Sequence, residues 1–287
     1  PPRKRAAGPA RTNSRATALR RVEPNPLTWG ERLDIIDALS QVLNGVYAHL
    51  PLKRSLYGFD VIRGLEHLRQ ELPTLTDLQF HRELTTLMNR LRDAHTQYKG
   101  AWTAPEPVAS LPFLVETYVE KGTRHYVVSK VDRRSVKDPN FTVGVRIEHW
   151  NGVPFDRAVE LHAECETGGR PDSRIARALE SLTFRALEYG PPPNEEWVVL
   201  NYVDRSGRKR EIRLDWQGLD PQRAPTASTQ AVATRRRLGI NLAAEAVRRA
   251  KKFRFNYGLW RAERAHSRGT RASTRADFSD FITARSV

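Results

Sequence analysis

The chain has 287 residues, 39% hydrophobic and 28% charged, which allows one or two buried cores and excludes a membrane-embedded body, since no run approaches the roughly 20 apolar residues that span a bilayer. Its formal charge of +15 sits at the ends: residues 1–25 hold seven Arg/Lys against one Glu, residues 220–287 hold fifteen against five, and the body between them is near neutral, which argues against a basic nucleic-acid-binding core. One cysteine, Cys165, excludes an internal disulfide, eight scattered histidines show no zinc spacing, and no secretory signal is visible, so a soluble protein without metal or cofactor is expected, its compartment open.

From the N-terminus, "PPRKRAAGPARTNSRATALRR" mixes Pro, Gly, Ala and Arg with almost no large apolar side chains, so burial cannot offset the entropy of ordering it. Residues 1–26 read as a disordered basic tail. At "TWGE" a Thr28-x-x-Glu31 capping box announces a helix carrying Ile35, Ile36, Leu39, Val42, Leu43 and Val46 at helical spacing. A second helix is expected near 60–71, with Val61, Ile62, Leu65 and Leu68 on one side. The third follows the Thr76-x-x-Gln79 box and carries Phe80, Leu84, Leu87, Met88 and Leu91. These three helices make a small bundle within residues 27–104.

From about residue 110 the apolar period shortens from helical to alternating. "LPFLVETYVE", "RHYVVSKV", "VGVRIEHW", "EWVVLNYV" and "REIRLDW" read as strands, the last two as a hairpin through "DRSGRK". Two helical stretches, 155–165 and 173–189, interrupt them, so residues 105–218 form a β-rich domain and the chain is α+β. After Trp216 the strands are expected to stop. "QGLDPQRAPTASTQ" then acts as a linker to a helix around 229–253, apolar along Ile240, Ala243, Val247 and Ala250 and basic along Arg248, Arg249, Lys251 and Lys252. Residues 219–287 are read as linker and basic helix.

Asp93, Ala94, His95 and Thr96 follow the third helix directly. A histidine in a loop at a helix end keeps its ring nitrogens free to exchange protons. Equally, Asp93 and Thr96 can satisfy exposed backbone groups, with His95 as polar surface. Further on, the Asn151-Gly152 pair suits a two-residue hairpin turn, and Leu111 and Phe113 suit core positions of a strand.

"LRDAHTQY", then "LPFLVE", then "VGVRIEHWNGVPF" resembles the order of segments in the tail-specific or C-terminal processing serine peptidases and their tricorn-core-like relatives, over about residues 28–216. In that family a helical domain ends in an L-x-D-x-H-T segment and hands over to a PDZ-like domain, after which the catalytic domain follows. Gly144, Ile147, Asn151 and Gly152 stand where the family carries G-D-x-I-x-x-I-N-G, while Val145 replaces the acid and His149-Trp150 is bulkier. The resemblance implies a polypeptide substrate, or its C-terminus, as partner and places Leu111, Pro112 and Phe113 near the entrance of a peptide groove. It gives His95 the role of general base in the tricorn-like branch and a structural role where a Ser-Lys pair does the chemistry. The expected architecture is thus a helical bundle, a PDZ-like β-rich domain and a C-terminal basic helix.

No serine sits in a nucleophile elbow or another glycine-flanked turn, Ser110, Ser129, Ser181, Ser206 and Ser267 included. The resemblance implies that the nucleophile lies in a domain after "DFITARSV", so this chain is expected to bind substrate without cleaving it. The competing class is a nucleic-acid or anionic-surface binder using its arginine-rich ends. In "RRAKKFRFNYGLWR", Phe253, Phe255, Tyr257 and Trp260 alternate with cations, as in single-strand binders.

Overall fold

The computed structural model describes residues 17–20, 23–93, 95–100, 102–103, 107–166, 168–187, 190–220 and 242–256. Both capping boxes form. Thr28 N–H donates to Glu31 Oε2 at 2.7 Å while Glu31 N–H returns to the Thr28 hydroxyl at 3.3 Å, opening α1 (Trp29–Gly45). A helix that the apolar period does not announce comes next, α2 (Leu50–Tyr57). It is eight residues long, has Pro in its first turn, buries only Leu50, and stops at Gly58 in the left-handed conformation (φ 58°). At eight residues it is too short for an apolar period to repeat, and Leu52 and Leu56 stand exposed. The bundle therefore has four helices instead of three.

The Asp60 carboxylate accepts from Ile62 N–H at 3.0 Å and starts α3 (Val61–Glu71). The Thr76/Gln79 box starts α4 (Asp77–Arg90). Ile36, Leu43, Leu65, Phe80, Leu84 and Met88 fill the space between the helices. α3 and α4 approach closely at Gly64, where an added Cβ would lie 2.6 Å from Leu87 Cδ2. α4 also joins the bundle to the β-rich part: Arg82 Nη2 donates to the carbonyls of Pro192 (3.1 Å) and Pro193 (3.2 Å), and Asn89 donates to the Cys165 carbonyl.

The strands in chain order are β1 (Thr17–Ala18), β2 (Glu23–Pro24), β3 (Trp102–Thr103), β4 (Val108–Ser110), β5 (Phe113–Glu120), β6 (Thr123–Val131), β7 (Arg146–Trp150), β8 (Val153–Pro154), β9 (Phe184–Ala186), β10 (Trp197–Val203), β11 (Lys209–Asp215) and β12 (Gln217–Leu219). β5, β6, β7, β10 and β11 are the strands expected from alternation. They form an antiparallel sheet in the order β11-β10-β7-β6-β5, with β8 beside β7. α5 (Phe155–Ala163) and α6 (Pro171–Ser181) cover it, burying Phe113, Phe141, Ile147, Phe155, Leu200 and Tyr202 among others.

A second antiparallel sheet, β1-β12-β4-β9, is assembled from four distant parts of the chain. It overturns three expectations. The supposed basic tail is not without structure throughout 1–26: Thr17 pairs with Gly218 in this sheet, and Glu23 pairs with Thr103 in a separate two-stranded sheet, β2-β3. The helix expected over 173–189 ends at Ser181, because Phe184–Ala186 turn into β9 and pair with β4, with the Phe184 ring buried. Strands continue past Trp216, since Gln217–Leu219 pair with β1 on one side and β4 on the other. Each pairing is carried by backbone bonds to a remote partner, which two or three residues of side-chain pattern do not reveal.

The last described element, α7 (Leu242–Phe255), packs Val247 and Ala250 against Val108, Phe184 and Leu219 of this second sheet. The earlier part of the expected helix, 229–241, and the terminal "DFITARSV" lie outside the described residues. No helix among the described residues is long and apolar enough to cross a membrane.

Candidate functional site

Asp93 organises the corner that follows α4. Its carboxylate accepts the Tyr47 hydroxyl at 2.8 Å, the His95 N–H at 2.9 Å and the Thr96 hydroxyl at 3.1 Å. The preceding Arg92 takes a positive φ of 51°, and its carbonyl accepts from Lys53 Nζ at 3.1 Å. Burial pulls the Asp93 carboxyl up, but the hydrogen bonds from His95, Tyr47 and Thr96 outweigh it and hold the group below its usual value. Asp93 thus satisfies one backbone N–H and two hydroxyls at a helix end, Thr96 being one of the donors. The His95 side chain stands 97% exposed, its Nδ1 3.6 Å from Asp93 Oδ1. Within the described residues no hydrogen bond joins His95 to Leu111–Phe113 or to the Asn151-Gly152 turn.

Asn151 (φ 48°) and Gly152 (φ 80°) both take the left-handed conformation, as a two-residue hairpin turn between β7 and β8 requires. The turn is sewn to β10: Asn151 N–H donates to the Val199 carbonyl at 2.8 Å, and Val199 N–H donates to Asn151 Oδ1 at 2.7 Å. Gly144 has φ 88° and donates its N–H to the Val128 carbonyl at 2.8 Å. These three residues shape the strand connections around β7.

The feature of the β-rich part that could accept an added strand is the outer edge of β5, beside α6. β5 ends the sheet order, so among the described residues one edge of it has no strand partner. Asp132 N–H donates to the Pro112 carbonyl at 2.8 Å, and this bond flanks the Phe113–Val131 pair. Val128, opposite Val115, spends its N–H on Val145 (3.0 Å) and its carbonyl on Gly144 (2.8 Å), both away from β5. By the alternation of antiparallel pairing, the N–H and C=O of Phe113 and Val115 are directed to the open edge. α6 lies alongside, with Ile175 and Leu179 half-buried one turn apart. Leu111 and Phe113 are fully buried side chains of the core, so at the β5 edge only the backbone of Phe113 is presented.

A serine, a histidine and a carboxylate do meet at one place, between α5 and α6. His162 Nε2 lies 2.8 Å from Ser181 Oγ, whose hydroxyl donates to Glu166. The Ser181 hydroxyl is also within reach of the Ala178 carbonyl at 3.3 Å, so the three side chains and the helix end form one packed polar cluster. Burial lowers the His162 ring to about 3 and pushes the Glu166 carboxyl up. Ser181 also sits in the last turn of its helix, where carbonyls and the negative end of the dipole face a bound group, opposite to what an oxyanion needs. Neither sequence motif nor spacing pointed to the cluster, because its members are joined by the packing of two helices.

The aromatic and basic segment offered for nucleic-acid stacking is committed elsewhere. Phe253 and Phe255 pack against the second core, the Phe255 ring 6.0 Å from that of Phe184, and the Arg254 side chain is buried. Arg254 donates to Ser110 Oγ at 2.6 Å and to Ser135 Oγ at 3.2 Å, and its Nε lies 3.4 Å from Asp132 Oδ2. Stacking by these two rings would require opening that core. Tyr257 and Trp260 lie outside the described residues.

No family model and no curated protein matches the sequence significantly. Among solved structures the chain is similar to mature CPAF, with a TM-score of 0.52 and 19% identity over 69% of this chain. It is similar to mature CPAF complexed with lactacystin, at 0.51 and 18% over 69%, and to a serine-to-alanine mutant of CPAF, at 0.55 and 18% over 74%. The chain spans 38–39% of the length of these structures. At such identity the likeness is one of fold: an α+β chain built along the lines of part of CPAF.

Proposed function

We propose that this chain is the substrate-receiving part of a serine-type peptidase, a helical domain and a PDZ-like domain that bind an extended polypeptide and orient it for a catalytic domain in the remainder of a longer protein. The observation that carries the reading is the open edge of β5 beside α6. Outward-directed N–H and C=O groups on Phe113 and Val115 supply main-chain bonds to an added strand, and Ile175 and Leu179 offer apolar contact to its alternate side chains. The fold likeness to CPAF, a serine protease, supports the same class. In this reading His95 serves as general base only if a serine from the later domain is brought to it, as in the tricorn-like branch. Its exposed ring on a backbone pinned by Asp93 suits such a partner.

The test is binding of fluorescein-labelled peptides from a reduced, carboxymethylated protein to the full chain, read by polarisation, with hydrolysis followed in parallel. Saturable binding without cleavage is expected, weakened at least tenfold by Leu179→Arg, with thermal unfolding used to verify that the variant folds. Binding indifferent to Leu179→Arg, or cleavage that persists through repurification, would refute the reading.

A further inference from the structure

The backbone donors available where β5 begins decide which part of a polypeptide its open edge can hold. Capture of a terminal carboxylate depends on successive backbone N–H groups converging on it. Here the positions are Leu111, Pro112 and Phe113. Leu111 N–H is already donated to the Thr183 carbonyl at 2.8 Å, which fastens the loop to the segment leaving α6. Pro112 has no N–H, and its carbonyl is occupied by Asp132 N–H at 2.8 Å. Of the three, only Phe113 retains an N–H directed to the open edge. One donor cannot replace the water around a carboxylate with about four acceptor sites.

Nor is the arginine buried at this corner free to add charge. Arg254 reaches the corner at Ser110, next to Leu111, but its guanidinium is buried and committed to Ser110, Ser135, Gln217 and Asp132. Arg134 Nε bonds the same aspartate at 3.1 Å. By contrast, alternating N–H and C=O groups at Phe113 and Val115 match the neutral backbone of a strand that continues in both directions.

Resting on the polypeptide-binding reading above, we infer that the open β5 edge beside α6 takes an internal, extended segment of its substrate and not a free C-terminus. It selects by main-chain pairing and by an apolar side chain against Ile175 and Leu179, so a substrate need not present an end to be engaged.

The experiment uses the full chain and the labelled peptides that bind it, each made both as the free acid and as the C-terminal amide. A third form carries the same sequence extended by Gly-Ser residues on both sides. Equal affinity of the three forms, within about threefold, is expected. Leu179→Arg and Ile175→Arg should weaken all three alike, with circular dichroism melts confirming that each variant folds. A tenfold or greater preference for the free acid over the amide overturns the inference while leaving polypeptide binding intact. If no peptide binds in any form, the polypeptide-binding reading itself fails and this inference with it.

Discussion

The Tyr47 hydroxyl donates to Asp93 Oδ2 at 2.8 Å, tying the turn after the first helix to the turn after the fourth. Three donors converge on that carboxylate, so Asp93→Ala leaves all of them without their acceptor and should cost about 2–3 kcal/mol. His95→Ala, with its side chain in solvent, should change stability by no more than about 0.5 kcal/mol. Urea midpoints of the two variants check the contrast. Because the folded state holds the Asp93 carboxyl below its unfolded value, its contribution is present above the ordinary carboxylate range and lost as pH falls through it. Asp93→Ala should therefore also flatten the acid limb of the stability profile.

His162 sets a second pH dependence. Its ring is lowered by burial from 6.5 to about 3, so the neutral ring's contribution is whole above 6.5 and disappears as pH falls from there toward 3. The loss should reach about 3 kcal/mol by pH 4 and about 5 kcal/mol once the folded ring titrates. Glu166 works in the opposite sense: its raised carboxyl favours the folded state below its unfolded value and opposes it above. Thermal midpoints from pH 7 to 4 should drop for the parent chain and drop less for His162→Gln.

Arg254 is pushed down to about 10 by burial and opposed to Asp132. Substituting Met at this position removes the charge and leaves Asp132 buried with Arg134 and the Ser135 hydroxyl as partners, which should cost about 3–5 kcal/mol. Since the guanidinium joins α7 to β4 and β12, hydrogen exchange should accelerate at Val108–Ser110 and Gln217–Leu219 before it does in the helical bundle. Uniform acceleration across both parts would contradict this account of the latch.

Asn151→Ala loses the side chain that accepts from Val199 N–H and places alanine at a positive φ of 48°. The two effects together should cost about 2–3 kcal/mol, measured by chemical denaturation. Gly152→Ala, at φ 80° with open space around the added carbon, should cost only the backbone strain of about 1 kcal/mol.

The approach of α3 to α4 gives a packing test. Gly64→Ala would put a methyl 2.6 Å from Leu87 Cδ2, so Leu87 must move, at a cost of about 1–2 kcal/mol. Gly45→Ala, with nothing within 4 Å, should be neutral or slightly stabilising on the same scale.

Much of the molecule can be read along the chain because the signals are local. Thr28 and Glu31, Thr76 and Gln79, and the pair Asn151-Gly152 each act over three residues or fewer, and the α1, α3 and α4 stripes and the β10–β11 alternation repeat over single elements. The α+β class, three of the four bundle helices and the five long strands follow from them. Tertiary structure alone decided the second sheet, since Thr17 meets Gly218 and Phe184 meets Ser110 through backbone bonds that no side-chain pattern encodes. It likewise decided that Arg254 is a buried latch and not part of a basic surface, and that the Leu111 N–H is spent on Thr183. A cap or an apolar period is settled by neighbours in sequence, whereas the state of a single N–H or guanidinium depends on which distant groups arrive beside it, and only the folded chain brings them together.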